Sequence, residues 1–407
     1  MRDWFTHQRR DDFYRHGSIC ETYADIEIQV YAVGGWVDGY PNAIFRLIEN
    51  LAGPRKGLIG PWGHKYPHYA MPGPRIGLLQ ECLRWWDQHL KDLDTGNMDE
   101  SMLRGWIQDP APPALIHLAR PGRWVAEEGW PSASISARSF GPSPGRLTAG
   151  CGSRDMPPLS SPSTAGLTSG AWCGYGSTPM LPLDQRQEAA GALVFDSALL
   201  DASLEILGFP ELAGVLSCDK PTAILSAILS AILSAVAADG AVTRISHGIV
   251  NLSHRHHDAD IVPMHAGKPE QIRLKLRCCG QRIEAGQRIR LVIATTHWPI
   301  VFPAPERPRV TIHCVGTRLT LPGHAPQPLD AGLAAFGPPE TSTPLARVQL
   351  VPAKPFRRQI TTDQITGRVT TVMEEDTGLA RQGGSVMCLS GWHQDSFSVH
   401  PDDPGHG

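Results

Sequence analysis

Along the first third of the chain the apolar positions change period in a regular order. Ile26 to Val33 (IEIQVYAV) is a mostly apolar run that ends at a glycine pair, the pattern of a buried parallel strand emptying into a loop. Pro41 then opens PNAIFRLIENLAG, in which Ile44, Leu47, Ile48 and Leu51 share one helical face, with Pro41 suited to the first turn and Gly53 to the residue past the end. Gly57 to Gly60 reads as a second strand and is followed by the loop PWGHKYPHYAMPG. A helix is predicted over Arg75 to Leu93, with Ile76, Leu79, Leu83, Trp86, Leu90 and Leu93 at three- and four-residue spacing. Leu103 to Gln108 alternates like one more strand. Strand, helix, strand, helix, strand is the rhythm of a parallel α/β sheet.

From about residue 131 the pattern changes. Residues 131–182 hold the low-complexity stretches SASISARS, GPSPG and LSSPSTAG and read as an exposed, partly disordered Pro/Gly/Ser-rich connection. Alternating apolar runs follow at Ala192–Phe195, Thr222–Val236, Ala241–Ile245, Gln271–Leu276, Arg288–Ala294, Arg309–His313, Arg347–Leu350 and Arg368–Val372. Turn signals at Asp239–Gly240, Ala285–Gly286 and Pro322–Gly323 separate them, as in a jelly-roll β-sandwich. Within this part, Ala223 to Ser234 is three tandem copies of AILS. A helical reading is open, because Ala and Leu form helices well, but a period of four drifts around a helix. A long buried strand with a repeat unit bulging out is preferred. The expected organisation is therefore an α/β unit (1–130), a connection (131–182) and a β-sandwich (183–407).

Composition narrows the function classes. Gly (41) and Pro (36) make about 19% of the 407 residues against a usual ~12%, which favours short strands and loops over a helical bundle. A formal charge of −3 leaves no electrostatic footprint for nucleic acid or for an anionic membrane surface. The start, MRDWFTHQRRDDF, lacks an apolar core for a secretory signal, and no run of ~18 apolar residues is present to cross a bilayer. Nine scattered cysteines without a C-x-x-C read as reduced thiols, so a cytoplasmic location is expected. The adjacent Cys278 and Cys279 would point to opposite faces of a strand and are poor partners for one another.

The densest chemistry lies in GGWVDGY (34–40) and GPWGH (60–64). Asp38 and His64 each sit just past the C-terminal end of a predicted strand, the edge where open α/β sheets carry their sites. A carboxylate there can bind an imidazole Nδ1–H, fix its tautomer and stabilise the imidazolium formed in general-base catalysis. On spacing alone, Asp38 as a helix cap and His64 as a surface histidine is the favoured reading.

The stretches GGWVDGY, GPRKGLIGPWGH, GPRIGLLQECLRWWDQHLKDLDTG, LRGWIQD and GRWVAEEGWP resemble the later half of the catalytic domain of the cocaine-esterase and Xaa-Pro dipeptidyl-peptidase hydrolases. LPLDQR, FDSALL, LEILGFPEL, DKP, DGAVTRISHGIVNLSHR, AGQRIRLVIATTHWPIVFPAPE and HPDDP are similar to that family's C-terminal jelly-roll domain. The resemblance implies a partial α/β-hydrolase sheet followed by a β-sandwich. It also implies a serine hydrolase of dipeptidyl-peptidase or acyl-esterase type that cleaves amides or esters through Ser, His and Asp. Asp38 falls on the family's catalytic aspartate and His64 on its histidine, in the chain order expected of the fold. The implied partner is a small acyl ester or an Xaa-Pro peptide, and a homo-oligomer is compatible with the chain. No cofactor is expected.

The nucleophile is what the sequence lacks. The one G-x-S-x-G match, GPSPG (141–145), lies in the low-complexity stretch, and neither its Ser143 nor Ser18, Ser153 or Ser177 has a strand–elbow–helix context. The chain is therefore expected to begin inside the family's catalytic domain, as an N-terminally truncated copy carrying only the acid and the base. The alternative is a catalytically dead fragment that keeps the sandwich as a binding or oligomerisation module. In the AILS segment, Ile232 and Ala235 stand where the family has an Arg and an Asp, which adds to that alternative. Trp36, Tyr40, Trp62 and Tyr66, with Trp85, lie near the pair in sequence. Core packing is one role open to them, and an aromatic wall for an acyl or prolyl group is the other. The cluster HRHHDADIVPMH (254–265) has metal-ligand residue types, but the family places it on a sandwich strand and loop, so no metal is expected.

Overall fold

The computed structural model describes residues 2–7, 9–220 and 228–405. Two short helices, α1 (Arg2–Thr6) and α2 (Asp12–Arg15), precede β1 (Val30–Gly35). The strand starts later than its apolar run, because the Ile26 N–H bonds back to the Tyr23 carbonyl (3.2 Å) in a tight turn and is lost to any ladder. Helix α3 (Pro41–Asn50) has Pro41 in its first turn and buries Ile44, Phe45 and Ile48. It leads into β2 (Arg55–Gly60), which pairs parallel with β1 from Val30↔Arg55 to Gly35↔Gly60. After α4 (Leu78–Leu90), β3 (Leu103–Gln108) extends the parallel sheet and β4 (Gly122–Glu127) closes it antiparallel.

Helix α4 corrects one expectation. Its apolar stripe does not face a core: Leu83 is 57% and Leu90 72% exposed, with Leu79 and Trp86 exposed as well. The buried face carries Leu78, Glu81 and Trp85 instead. Periodicity identified the stripe, but no second layer covers it among the described residues. Among the described residues β1 beside it has β2 as its one ladder partner, with no strand on its other edge.

The rest is antiparallel for the most part. β5 (Ser136–Ser143) and β6 (Arg146–Ala149) are followed by β7 (Leu193–Ser197), β8 (Leu204–Gly208), β9 (Glu211–Cys218), β10 (Ile228–Val236), β11 (Val242–Asn251), β12 (Glu270–Lys275), β13 (Cys279–Ile283), β14 (Arg288–Ala294) and β15 (Val310–His324). After the short helix α5 (Pro328–Ala331), β16 (Arg347–Val351), β17 (Lys354–Thr362), β18 (Val369–Gln382) and β19 (Cys388–Val399) form a separate four-stranded sheet. This is the α/β sheet followed by an all-β part that the sequence pattern predicts. Pro322–Gly323 is not a turn but part of β15. The proline is paired in register with Ala137 of β5 on one edge, while on the other it falls in the gap between pairing with β9, which ends at Thr320, and pairing with β8, which begins at Gly323. The predicted strand Thr222–Val236 lies outside the described residues up to 227. The remainder of the AILS repeat is β10, with its ladder to β11 shifting register between Leu233 and Ser234.

Residues 131–182 are not the exposed connection that composition suggested. They contain β5 and β6, and Ser161, Ser163, Thr168 and Ser169 are buried. Most of their small polar side chains and backbone groups find internal partners, the Ser169 hydroxyl excepted. Ser161 N–H donates to Thr295 Oγ1 (2.9 Å) while Thr295 N–H donates to Ser161 Oγ (3.1 Å). The Glu188 carboxylate accepts from Gly166 N and from Thr168 N and Oγ1. A segment rich in Ser and Gly can be interior when each polar group finds such a partner.

The α/β sheet and the sandwich meet in one hydrogen-bonded bridge, Gln108↔Gln281, which the two glutamine side chains reinforce. A charged cluster fastens the same seam. His324 lies between Glu205 (Nδ1–Oε2, 3.0 Å) and Glu127 (Nε2–Oε1, 3.3 Å), and Arg123 joins Glu205 to Asp330 of α5. No described helix is long and apolar enough to cross a membrane.

Two outcomes follow from this fold. The open β1 edge and the bare α4 stripe should make the isolated chain self-associate, and Leu83→Glu with Trp86→Glu should shift it toward monomer in light scattering. An unchanged mass distribution would show that these residues are not the contact. Stability should also depend on pH through His324. Burial pulls its pKa down, but the hydrogen bonds to Glu127 and Glu205 overcome this and raise it to about 9. A raised folded value stabilises fully below the ordinary 6.5 and is lost as pH climbs through about 9, on the order of 2–3 kcal/mol. The Glu127 and Glu205 pKa values are lowered despite burial, so their contribution holds above the ordinary 4.5 and is lost on acidification. Denaturant melts between pH 5 and 9 should show this alkaline decline, and His324→Gln should flatten it.

Candidate functional site

Asp38 and His64 leave neighbouring strand ends on the same edge of the sheet. The β1–β2 pairing runs on past the last ladder residues, with Trp36 N–H donating to Gly60 O (2.9 Å) and Val37 N–H to Trp62 O (3.0 Å). That continuation needs Gly35, where a Cβ would stand 2.1 Å from the Trp62 carbonyl oxygen. Gly63 is required in the same sense, since a Cβ there would meet the backbone of 174–176 at about 2.6–2.7 Å. The glycines of GGWVDGY and GPWGH are thus close-approach residues.

The two side chains meet. Asp38 Oδ1 lies 2.9 Å from His64 Nδ1. The same oxygen accepts from Tyr40 N–H (3.3 Å), a local turn bond, and Tyr40 at the start of α3 has no side-chain cap. Asp38 is largely covered, at 16% side-chain exposure, and His64 is open at 46%. With Nδ1 facing the carboxylate, the neutral tautomer places its proton there and leaves Nε2 as the free acceptor.

Sequence reasoning missed two neighbours. Cys173 brings its thiol 3.8 Å from Asp38 Oδ1, so that Asp38, His64 and Cys173 place donor atoms within 4.8 Å of one another. Burial raises the Cys173 pKa, and the negative charge of Asp38 adds to it. Tyr175 packs edge-on against His64 with ring centroids 5.7 Å apart. Both come from the Ser/Gly-rich loop read as exposed, and no sequence signal links them to residues about 135 positions away. Gly174 between them clamps both loops, its N–H donating to Val37 O (3.1 Å) and its carbonyl accepting from His64 N–H (2.8 Å).

The aromatic residues separate. Tyr40 is exposed, with its ring 5.9 Å from His64. Trp62 is buried and donates to Pro74 O (2.8 Å), and Trp36 donates to Trp106 O (2.7 Å) and stacks on Phe45. Tyr66 is exposed among His68 and Tyr69, and Trp85 is buried against Tyr31. In the 254–265 segment, His265 pairs with Glu270 (3.0 Å), and the histidines do not converge on one point. All nine cysteines are free. Ser18 Oγ accepts from Arg10 (3.3 Å) and Ser153 Oγ donates to Ser143 (3.1 Å), so neither meets His64.

Comparison with known proteins bears on the family and the fold. The family model for the X-Pro dipeptidyl-peptidase C-terminal non-catalytic domain matches residues 96–327, and that for X-Pro dipeptidyl-peptidase (S15 family) matches residues 1–66. No curated protein matches the chain. Among solved structures, a CocE/NonD family hydrolase from Staphylococcus aureus is similar at TM-score 0.59 and 12% identity, over 77% of this chain and 57% of its own. An aminopeptidase from a marine sediment archaeon, Thaumarchaeota archaeon, is similar at TM-score 0.63 and 15% identity, over 79% of this chain and 60% of its own. An alpha-amino acid ester hydrolase is similar at TM-score 0.60 and 14% identity, over 79% and 60%. The chain thus spans 57–60% of the length of these structures. With the C-terminal domain matched over more than half of its residues, the chain belongs to the X-Pro dipeptidyl-peptidase and cocaine-esterase family of α/β-hydrolases.

Proposed function

We propose that this chain supplies the acid–base pair and the β-sandwich of a serine hydrolase that cleaves acyl esters or Xaa-Pro amides. The observation that carries the reading is the 2.9 Å contact of Asp38 Oδ1 with His64 Nδ1 at the carboxyl ends of adjacent parallel strands. In this reading His64 Nε2 takes the proton of an attacking hydroxyl, and Asp38 orients the ring and stabilises the resulting imidazolium. Tyr40 and Tyr175, on either side of the imidazole, form the aromatic wall for the acyl or prolyl group. No serine hydrogen-bonds His64 among the described residues, so the nucleophile is to come from a G-x-S-x-G elbow on a separate segment. That elbow also brings one oxyanion-hole donor. A second reading, a catalytically silent member whose sandwich binds or oligomerises, is favoured by the place of the sequence's one G-x-S-x-G match, GPSPG (141–145), at the turn between β5 and β6, where Ser143 Oγ accepts from Ser153.

The two readings diverge in a complementation assay on an unactivated substrate such as an Xaa-Pro amide or a benzoyl alkyl ester. The chain alone should show no turnover above its His64→Ala variant. Adding a family fragment that carries the elbow should restore hydrolysis, and Asp38→Asn should then lower it by about three to four orders of magnitude. A fragment that binds without restoring turnover supports the silent reading. Turnover by the chain alone that disappears with Ser177→Ala would instead identify that serine as the nucleophile.

A backbone variant tests whether the pair depends on the strand ends. Gly35→Ala should cost on the order of 2–4 kcal/mol in a thermal or denaturant melt and abolish complementation. Gly129→Ala, where no atom lies within 4 Å of the added carbon, should leave both unchanged.

A further inference from the structure

A cavity of about 110 Å³ lies between the loop 171–182, the first half of β11 and the segment 113–120. Its wall holds three guanidinium groups, Arg120, Arg244 and Arg277, together with His117 and His247, and not one carboxylate. None of the three arginines has an ion-pair partner among the described residues. Each uses part of its donor set on backbone carbonyls. Arg120 donates to Asp109 O (3.1 Å), Arg244 to Ser169 O, and Arg277 to Trp172 O (3.0 Å) and Asp38 O. Arg120 Nε and the deeply buried His247 Nε2 have no partner at all.

The nearest negative charges are committed elsewhere. Asp38 is bound to His64, Asp109 to Arg282 (3.2 Å), and Glu188 to Gly166 and Thr168. Burial accordingly pushes Arg244 down to about 9 and Arg120 down to about 10, and the Arg277 charge adds to the effect on Arg244. Buried charges in folded proteins are otherwise paired. Three of them converging on one space, with spare donors in a fork geometry that suits carboxylate and phosphate, leave the counter-charge to a ligand.

We propose that this cavity binds a small oxyanion, a phosphate or the carboxylate of a small acid, held by Arg120, Arg244 and Arg277. The cavity is smaller than the ~300–1,000 Å³ of pockets that take drug-sized ligands, which excludes a nucleotide or a peptide as the enclosed group. Because Arg277 also holds the backbone of Asp38 and Trp172, the bound anion would brace the loop that carries Cys173 and Gly174 onto the Asp38–His64 pair. The site does not rest on the hydrolase reading and is tested without measuring turnover.

The full chain is titrated with inorganic phosphate, with benzoate and with sodium chloride at matched ionic strength, and thermal melts are recorded. Phosphate or benzoate should raise Tm saturably, by roughly 3 °C at a hundredfold excess over Kd, and whichever does so identifies the source. Chloride should not. Arg244→Met should abolish the shift, and in anion-free buffer it should melt no lower than the parent, since it removes an unpaired buried charge. Arg120→Gln, at the cavity's other wall, should weaken the shift tenfold or more in apparent Kd, which keeps the test open if Arg244→Met fails to fold. Equal shifts with chloride, or a phosphate shift unchanged in these variants, would overturn the proposal.

Discussion

The peptide groups of Gly174 hold the arrangement of the site together. One bonds the Asp38 loop at Val37, and the other bonds the His64 loop at its own N–H. The parallel register of β1 and β2 brings the two loops to one edge, but a register sets strand ends and not the paths of the loops beyond them. Gly174 fixes those paths from outside the sheet, and the close packing of its neighbours explains the glycine at 63. Arg277 adds a second tie, from the loop's Trp172 carbonyl to that of Asp38. The edge of the α/β sheet that carries Asp38 and His64 is therefore built partly from a segment that belongs, by sequence, to the connection with the sandwich.

This division governs what was legible in the sequence. Asp38 and His64 could be placed at strand ends because each follows an apolar run by a few residues, but their pairing was read from the family resemblance of GGWVDGY and GPWGH and not from spacing. Cys173, Gly174 and Tyr175 could not, because their segment has the composition of a linker and their contacts are long-range. Composition reports how much apolar area a segment can bury, but it does not report whether its polar groups find partners, and here Glu188, Thr295 and Gly174 provide them. Helix α4 shows the complementary blind spot. Its three- and four-residue spacing correctly marked an apolar stripe, yet spacing names no neighbour, and the stripe lies in the open. The antiparallel strands were legible where alternation reflects one face turned inward, as in β12 with Ile272 and Leu274 buried between exposed residues, but β5, β6, β8, β9, β13, β17 and β19 were not read as strands.

Low overall charge has a counterpart in the interior. His247 and His297 stack at 5.4 Å, almost parallel, and both are buried. Burial drives the His297 pKa to about 3 and that of His247 well down, so both rings remain neutral near pH 7. His324 shows the opposite result in an equally buried place, because two carboxylates hold it charged. The difference lies in partners and not in depth. Where carboxylates are available the fold makes an ion cluster at the seam, and where they are absent it keeps imidazoles neutral.

Family membership and the site draw on different stretches of the chain. The C-terminal domain match covers residues 96–327 and concerns scaffold, while Asp38 and His64 lie within the shorter match over 1–66. The energetic weight of the pair itself is small. An exposed His–Asp contact contributes roughly 1 kcal/mol or less, and His64 is nearly half exposed. The loops do not need it, because backbone bonds through Val37, Trp62 and Gly174 already fix them. Folding therefore explains where the two loops go but not why a carboxylate and an imidazole stand at their tips with one ring nitrogen turned inward and the other outward. It is the orientation that the proposed role of His64 as a proton acceptor would require.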